Sequence, residues 1–338
     1  NSIIGLRSSE LATLNREQLT LAAAFRFALV ALLLFVGPVQ EQVSAQIFCD
    51  QASPTYGTCF LQSGTFAGDA PFAITCIPTT NDLFVADYLS GFFYRYDALN
   101  LASAPENLTG PKGPATYLGL AWNGFDNSLY WIGNDQGNLL LVISSLGGNQ
   151  IAEFPLTVPS GSTTLSGLAW SPGTNTLWTN DFENDTYLEL SADGTFTGNS
   201  FNNPESVGSA GAFGLGLTVV QDLNDGSFYF DLPVGAPSAN RTNKVERVDS
   251  NGQTQGLSFP LASLNNLSGW ITGIAWTPFG SIVDTPSNFL LDYTNRIIVE
   301  VPVPNPPAQS ISDLSCESDI SNTVTLSWTN PLAYDQIE

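Results

Sequence analysis

Gly119-Leu-Ala-Trp122 recurs as Gly167-Leu-Ala-Trp170 and again as Gly273-Ile-Ala-Trp276. Weaker copies stand at Gly214-Leu-Gly-Leu217 and, without the Gly-Trp signature, at Phe72-Ala-Ile-Thr75. The first step, Gly119 to Gly167, is 48 residues and the next, to Gly214, is 47. The step to Gly273 is 59, and its excess lies in the Pro-, Gly- and Asn-rich stretch from Leu232 to Asn243. Self-similarity at a period of this size indicates a repeat architecture.

Every copy continues alike. A polar turn follows the first apolar run, as in Asn123-Gly-Phe-Asp-Asn127 and Ser171-Pro-Gly-Thr-Asn175. A second short apolar run then ends in an acid: Leu83 to Asp87, Leu129 to Asp135, Leu177 to Asp181, Phe228 to Asp231 and Phe289 to Asp292. A third run follows, such as Phe92-Phe-Tyr-Arg-Tyr96 or Arg296-Ile-Ile-Val-Glu-Val301. Asp193-Gly194 and Asp249-Ser-Asn-Gly252 carry hairpin chemistry before a fourth. Four short strands per period of about 45 residues is the pattern of a β-propeller. The expected fold is therefore all-β, a propeller of four-stranded blades. Five copies are visible, and the last shows three clear strands before Pro302. Phe60-Leu-Gln-Ser-Gly-Thr-Phe66 is the candidate to supply its missing strand and remove the open edge. Five blades is the preferred count, and six is the alternative if residues 46–72 and the long fourth repeat conceal another.

The strand Leu83-Phe-Val-Ala-Asp-Tyr88, with the aromatic or aliphatic strand after it, resembles the broad NHL/SMP-30-like group of propellers. The resemblance spans roughly residues 60–303 and is specific for architecture. Lactonases of the SMP-30 group hold a divalent metal with Glu, Asn and Asp at the starts of innermost strands. The corresponding positions here read Leu118, Ser166, Phe213 and Thr272, and only Asp69, before the first copy, is acidic. That ligand set is not evident in this chain. Past the propeller, Pro302-Val-Pro-Asn-Pro-Pro307 leads into a stiff extended linker, residues 304–310. Ile311 to Cys316 and Thr323 to Pro331 then resemble the first two strands of a fibronectin type III-like sandwich. Val324, Leu326 and Trp328 would face its core. Residues 311–338 thus read as a truncated domain, an incomplete β-sandwich.

The chain has 338 residues, 9 Lys+Arg against 31 Asp+Glu, and a net charge of −22. No basic stripe exists to displace phosphate counterions, which argues against nucleic acid as a partner. The absence of His removes Ser-His-Asp and Cys-His catalysis and His-ligated zinc. The absence of Met, initiator included, leads us to expect an internal fragment of a longer reading frame. At the N-terminus, Arg7, Arg16 and Arg26 precede the apolar run Phe27 to Val36, the breakers Gly37 and Pro38, and Val43-Ser44-Ala45. This is the order of a secretory signal peptide over residues 1–45. The apolar run is about half the length a membrane span needs. The mature chain, starting near Gln46 with the propeller at 46–303, is expected to be secreted or surface-bound and to carry no membrane span.

Four cysteines suit an exported protein. Cys49 and Cys59 flank Pro54 and Gly57 and are the disulfide candidate; Cys76 sits in a strand pattern and is expected as a buried thiol. The recurrent acids Asp87, Asp135, Asp181, Asp231 and Asp292 would ring the face where second strands end. Their expected role is mainly structural, each capping the following turn through backbone N–H groups and each worth a similar amount. A cation rim is the other reading, with Ca²⁺ the candidate because hard cations take carboxylate oxygen. Trp122, Trp170 and Trp276 are expected in blade-to-blade packing, whereas Trp131, Trp178 and Trp270 are less regular and include candidates for stacking on carbohydrate. No catalytic residue stands out, and no cofactor is expected beyond that cation. The sequence favours a non-catalytic extracellular platform binding a protein or carbohydrate. The alternative is a secreted Ca²⁺-dependent hydrolase or lyase, lactonase-like, acting on a sugar or lactone.

Overall fold

A computed structural model describes residues 60–112, 116–135, 137–204, 215–221, 226–236, 241–261, 267, 270–281, 285–303, 315–318 and 324–327. The first strand, β1 (Gln62–Thr65), belongs to the last sheet. Blade 1 runs outward as β2 (Pro71–Ile77), β3 (Asp82–Asp87), β4 (Phe92–Asp97) and β5 (Glu106–Thr109). Blade 2 is β6 (Thr116–Asn123), β7 (Ser128–Asp135), β8 (Asn138–Ser144) and β9 (Gln150–Pro155). Blade 3 is β10 (Leu165–Ser171), β11 (Thr176–Asp181), β12 (Thr186–Leu190) and β13 (Phe196–Asn202). Blade 4 is β14 (Thr218–Gln221), β15 (Phe228–Ala236), β16 (Arg241–Val248) and β17 (Thr254–Pro260). Blade 5 is β18 (Ile271–Thr277), β19 (Ser287–Asp292), β20 (Ile297–Pro302) and, as its outer strand, β1. The fold is a five-bladed β-propeller. No helix among the described residues is long and apolar enough to cross a membrane.

Local chemistry makes the blades. The turn from first to second strand ends on Asn81, Asn127 and Asn175 in blades 1 to 3, at φ of 57°, 54° and 56°. Asn tolerates this left-handed conformation better than other side-chain-bearing residues. The repeated glycines answer a different need. Added Cβ atoms at Gly119, Gly167 and Gly216 would come within 3 Å of the next blade's backbone at Gly167, at Leu215 and Gly216, and at Gly273 respectively. The inner strands therefore crowd the axis as bare backbone. This ring of approaches corrects two alignments: Gly216, not Gly214, is the fourth blade's axial glycine. Ala73 stands in the first blade's equivalent place, paired with Ala86 as Gly119 is with Ile132.

Aromatic side chains fill the space between blades. Phe93 and Tyr117 pack on Trp131 at 5.0 and 4.9 Å, Tyr130 on Trp170 at 5.5 Å, and Trp178 on Phe230 at 5.0 Å. Trp122, Trp170 and Trp276 each join the cluster between their own blade and the preceding one. The Trp backbone is tied as well: Trp122 N–H donates to Thr75 Oγ1 and Trp276 N–H to Thr218 Oγ1, each across to the previous blade. Cys76 is a buried free thiol whose pKa burial pushes up to about 12, with Glu300 and Asp82 adding to the rise and a Thr277 hydrogen bond opposing it.

Closure lies where the sequence places it. β1 pairs antiparallel with β20, Gln62 opposite Glu300 and Thr65 opposite Ile297. Phe60 and Phe66, at its two ends, are buried in the clusters on either side of blade 5. Gln62 fastens the strand in both directions. Its Nε2 donates to Glu300 Oε2 at 2.8 Å within the blade and to the Ala98 carbonyl at 2.6 Å in blade 1, while its Oε1 accepts from Leu101 N–H at 2.8 Å. Beyond the propeller, β21 (Ser315–Ser318) and β22 (Val324–Ser327) form an antiparallel pair with Cys316 opposite Leu326. Residues 1–45, which the sequence reads as a leader, and Cys49 and Cys59 lie outside the described residues.

Candidate functional site

The face on which second strands turn into third strands, here the upper face, gathers the recurrent acids, and they divide into three kinds. Asp87, Asp181 and Asp292 are buried and cap the turn after them. Asp87 accepts from the Leu89 and Ser90 N–H groups, and from Asp69 N–H in the loop leading into β2. Asp181 accepts from Asn184 N–H and Nδ2 and from the Ser162 hydroxyl, in the loop before β10. Asp292 accepts from Asn295 N–H and Nδ2. Each acid thus joins its own turn, and in blades 1 and 3 it also fastens the incoming loop. Every one of these turns then needs a left-handed residue four positions after the acid: Gly91, Asp185 and Arg296.

Asp135 and Asp231 depart from that role. In blade 2, strand register puts Gly133 at the capping position, and Asn134 Oδ1 takes over by accepting from Gly137 N–H at 2.8 Å. Asp135 projects outward, half-exposed, 3.5 Å from Lys112 Nζ. In blade 4 the second strand continues past the acid to Ala236, so Asp231 sits mid-strand. It is fully buried, held by Arg247 Nε and Nη2 at 2.7 and 2.9 Å and by Asn288 Nδ2 of blade 5 at 2.8 Å. It belongs to a buried ion pair within blade 4 that Asn288 ties to blade 5, and it takes no part in a rim.

The axis is plugged. Its void is about 10 Å³, lined by Ala73, Leu120, Gly167, Leu217, Ile274 and their neighbours. That is room for about one water. At its upper end the residues preceding the axial positions are Phe72, Leu118, Ser166, Leu215 and Thr272, so Leu215 stands where sequence spacing put Phe213. Thr272 Oγ1 is engaged, donating to the Pro71 carbonyl at 3.0 Å. Among the described residues no three acids or thiols converge on one point. Glu183, two residues after Asp181, is exposed and accepts from the Thr163 and Thr164 hydroxyls.

Beside this plugged mouth, blades 1 and 5 carry a strip of four aromatic rings. Phe72 lies 5.2 Å from Tyr88 and 6.4 Å from Tyr293, and Tyr293 lies 5.5 Å from Trp270. All four are half-buried. Tyr88 and Tyr293 follow the capping acids Asp87 and Asp292, so the caps fix where the rings stand. Trp270 is fixed by its carbonyl, which accepts from Tyr293 N–H at 3.0 Å. Burial raises the pKa of both tyrosines, and Tyr293 also feels Tyr88, which raises it, and Arg296, which lowers it. At the edge of the strip, Arg296 pairs with Asp69 at 3.3 Å, both well exposed, and Leu89 is 56% exposed. Of the irregular tryptophans, Trp131 and Trp178 are buried in blade interfaces, and Trp270 alone joins this surface. The strip was not expected as a site. The signal for it was the aromatic residue directly after the capping acid, repeated at Tyr88, Phe182 and Tyr293.

No family model matches this chain, and no curated protein sequence is similar to it. Among solved structures it is similar to the hydrazine synthase of Kuenenia stuttgartiensis, at 14% identity and a TM-score of 0.41, over 78% of this chain and 97% of that one.

Proposed function

We propose that the chain is a non-catalytic binding platform: an NHL/SMP-30-like propeller, exported, in a modular protein whose next module is fibronectin type III-like. The observation that carries the reading is the half-buried aromatic strip beside a plugged axis. Four large rings left partly open to solvent next to one another mark a surface that gains by being covered. A narrow apolar axis offers a reactant no space. The capping acids are occupied by their own turns, so among the described residues of the upper face the rings and their polar fringe are what we offer as the ligand surface. Export is supported by the leader-like order of residues 1–45, and the modular tail by the alternating apolar residues of 324–328.

The test is a panel of oligosaccharides, peptides and lactones, assayed for binding and for turnover with and without Ca²⁺. Binding that is lost in Tyr88→Ala/Tyr293→Ala, at unchanged secondary structure, and without turnover supports the platform. Turnover of any panel member, or ligands bound equally well by that variant, overturns it.

A further inference from the structure

The aromatic strip has a composition that selects among ligands. Phe72 and Tyr88 lie 5.2 Å apart with their planes tilted by 31°, and Tyr293 stands nearly perpendicular to Phe72, at 6.4 Å and 84°, and to Trp270, at 5.5 Å and 82°, so each ring touches the next and the row runs unbroken. What they offer is a narrow ledge. Along its edge stand the Asp69 carboxylate and the Arg296 guanidinium, 3.3 Å apart, and the exposed Thr294 and Asn295. Carboxylate acceptors, guanidinium donors and an amide beside a hydrophobic ledge match a ligand with C–H faces and a rim of hydroxyls, each hydroxyl both donor and acceptor. The charge of −22 repels anionic ligands. A four-ring strip is also small against the area that a stable protein interface buries.

The orientation of the chain fits. β20 ends, and the antiparallel β1 begins, on the face opposite the strip. Both covalent connections of the propeller therefore leave from the lower face, and the strip faces away from them.

We propose that Phe72, Tyr88, Tyr293 and Trp270 form a stacking ledge for a neutral carbohydrate, with Asp69 and Arg296 hydrogen-bonding its hydroxyls. This rests on the platform reading and names its ligand class. Trp270 supplies an indole that a stacked sugar would dry, so its emission reports binding.

The full chain is titrated with cellohexaose, laminarihexaose, mannohexaose and chitohexaose, and with polygalacturonate as the anionic control, by calorimetry and tryptophan fluorescence. Expected is binding of at least one neutral hexasaccharide with a change in emission, and no binding of polygalacturonate. Tyr88→Ala should weaken it about ten-fold, the scale of one lost stacking contact. Asp69→Asn should weaken it less, and Phe125→Ala, an exposed ring on the opposite face, should leave it unchanged. If no neutral glycan binds, or if Tyr88→Ala binds as the parent does, the carbohydrate assignment falls. A peptide from the earlier panel that binds through Tyr88 and Tyr293 while every glycan fails would keep the platform and remove the sugar.

Discussion

At the residue scale, five acids that look equivalent along the chain do five jobs of three kinds, and their substitution should sort them. Asp87→Ala strands three backbone N–H groups around a buried site, a loss of about 1–3 kcal/mol. Asp135→Ala removes a half-exposed ion-pair partner of Lys112 and should stay within about 0.5 kcal/mol. Asp231→Ala leaves Arg247 buried without its counter-ion, a loss of about 3–5 kcal/mol. Urea midpoints of the three variants check this order, and equal losses at all three positions would refute it. The acids themselves were legible, because a carboxylate at a strand end has an obvious use. Asp231 was misleading for a local reason. Pro233 reads as a breaker, yet β15 runs through it, with Pro233 opposite Val245. The displaced glycine has a similar cause, since Gly214 and Gly216 both fit the motif and only the approach to Gly167 and Gly273 selects one.

At the scale of the element, strand β1 is four residues long, and its hold on the ring depends on side-chain bonds as much as on its ladder. Gln62→Ala removes three hydrogen bonds and leaves the Leu101 N–H and a Glu300 oxygen poorly satisfied. The expected loss is about 1–3 kcal/mol in chemical denaturation. A chain beginning after Thr65 should lose its cooperative transition, because the outer edge of blade 5 is then bare; cooperative melting of that deletion at the parent temperature would contradict closure by β1. Blade 3 offers a pH test. Burial alone would raise the Glu189 carboxyl, but hydrogen bonds from Thr176, Asn199 and Thr197 outweigh it and hold the pKa below the ordinary value. A depressed carboxyl adds stability above its unfolded pKa and loses it as pH falls through the folded one. The stability gap between the parent and Glu189→Gln should therefore be full near neutrality and shrink below about pH 4.3. A gap that stays constant down to about pH 3 would mean that the hydrogen bonds do not depend on the charge. Strand number, blade order and closure were readable in advance because each rests on period and turn chemistry. The ledge was not, because it joins residues of blades 1 and 5, more than 180 positions apart, and only ring closure makes them neighbours.

For the whole molecule, closure by a strand from the far end of the chain has a mechanical meaning. β1 and β20 are antiparallel, so residue 61 and residue 301 leave the sheet side by side. A pull applied through these two ends does not shear the ladder. It loads the Gln62–Glu300 pair first, and then each pair in turn toward Thr65 and Ile297, as a zip opens. Four rungs broken one at a time resist far less than four loaded together. Stretched between handles at residues 60 and 303, the propeller should yield first by release of β1 at low force, with the other four blades still folded, and only afterwards unravel. Gln62→Ala should lower that first step and leave the later ones unchanged. A single high-force rupture of the entire ring would show that the seam is not the weak line. A protein tethered at both ends by its own backbone would thus carry a fuse at the joint where its ring is sealed.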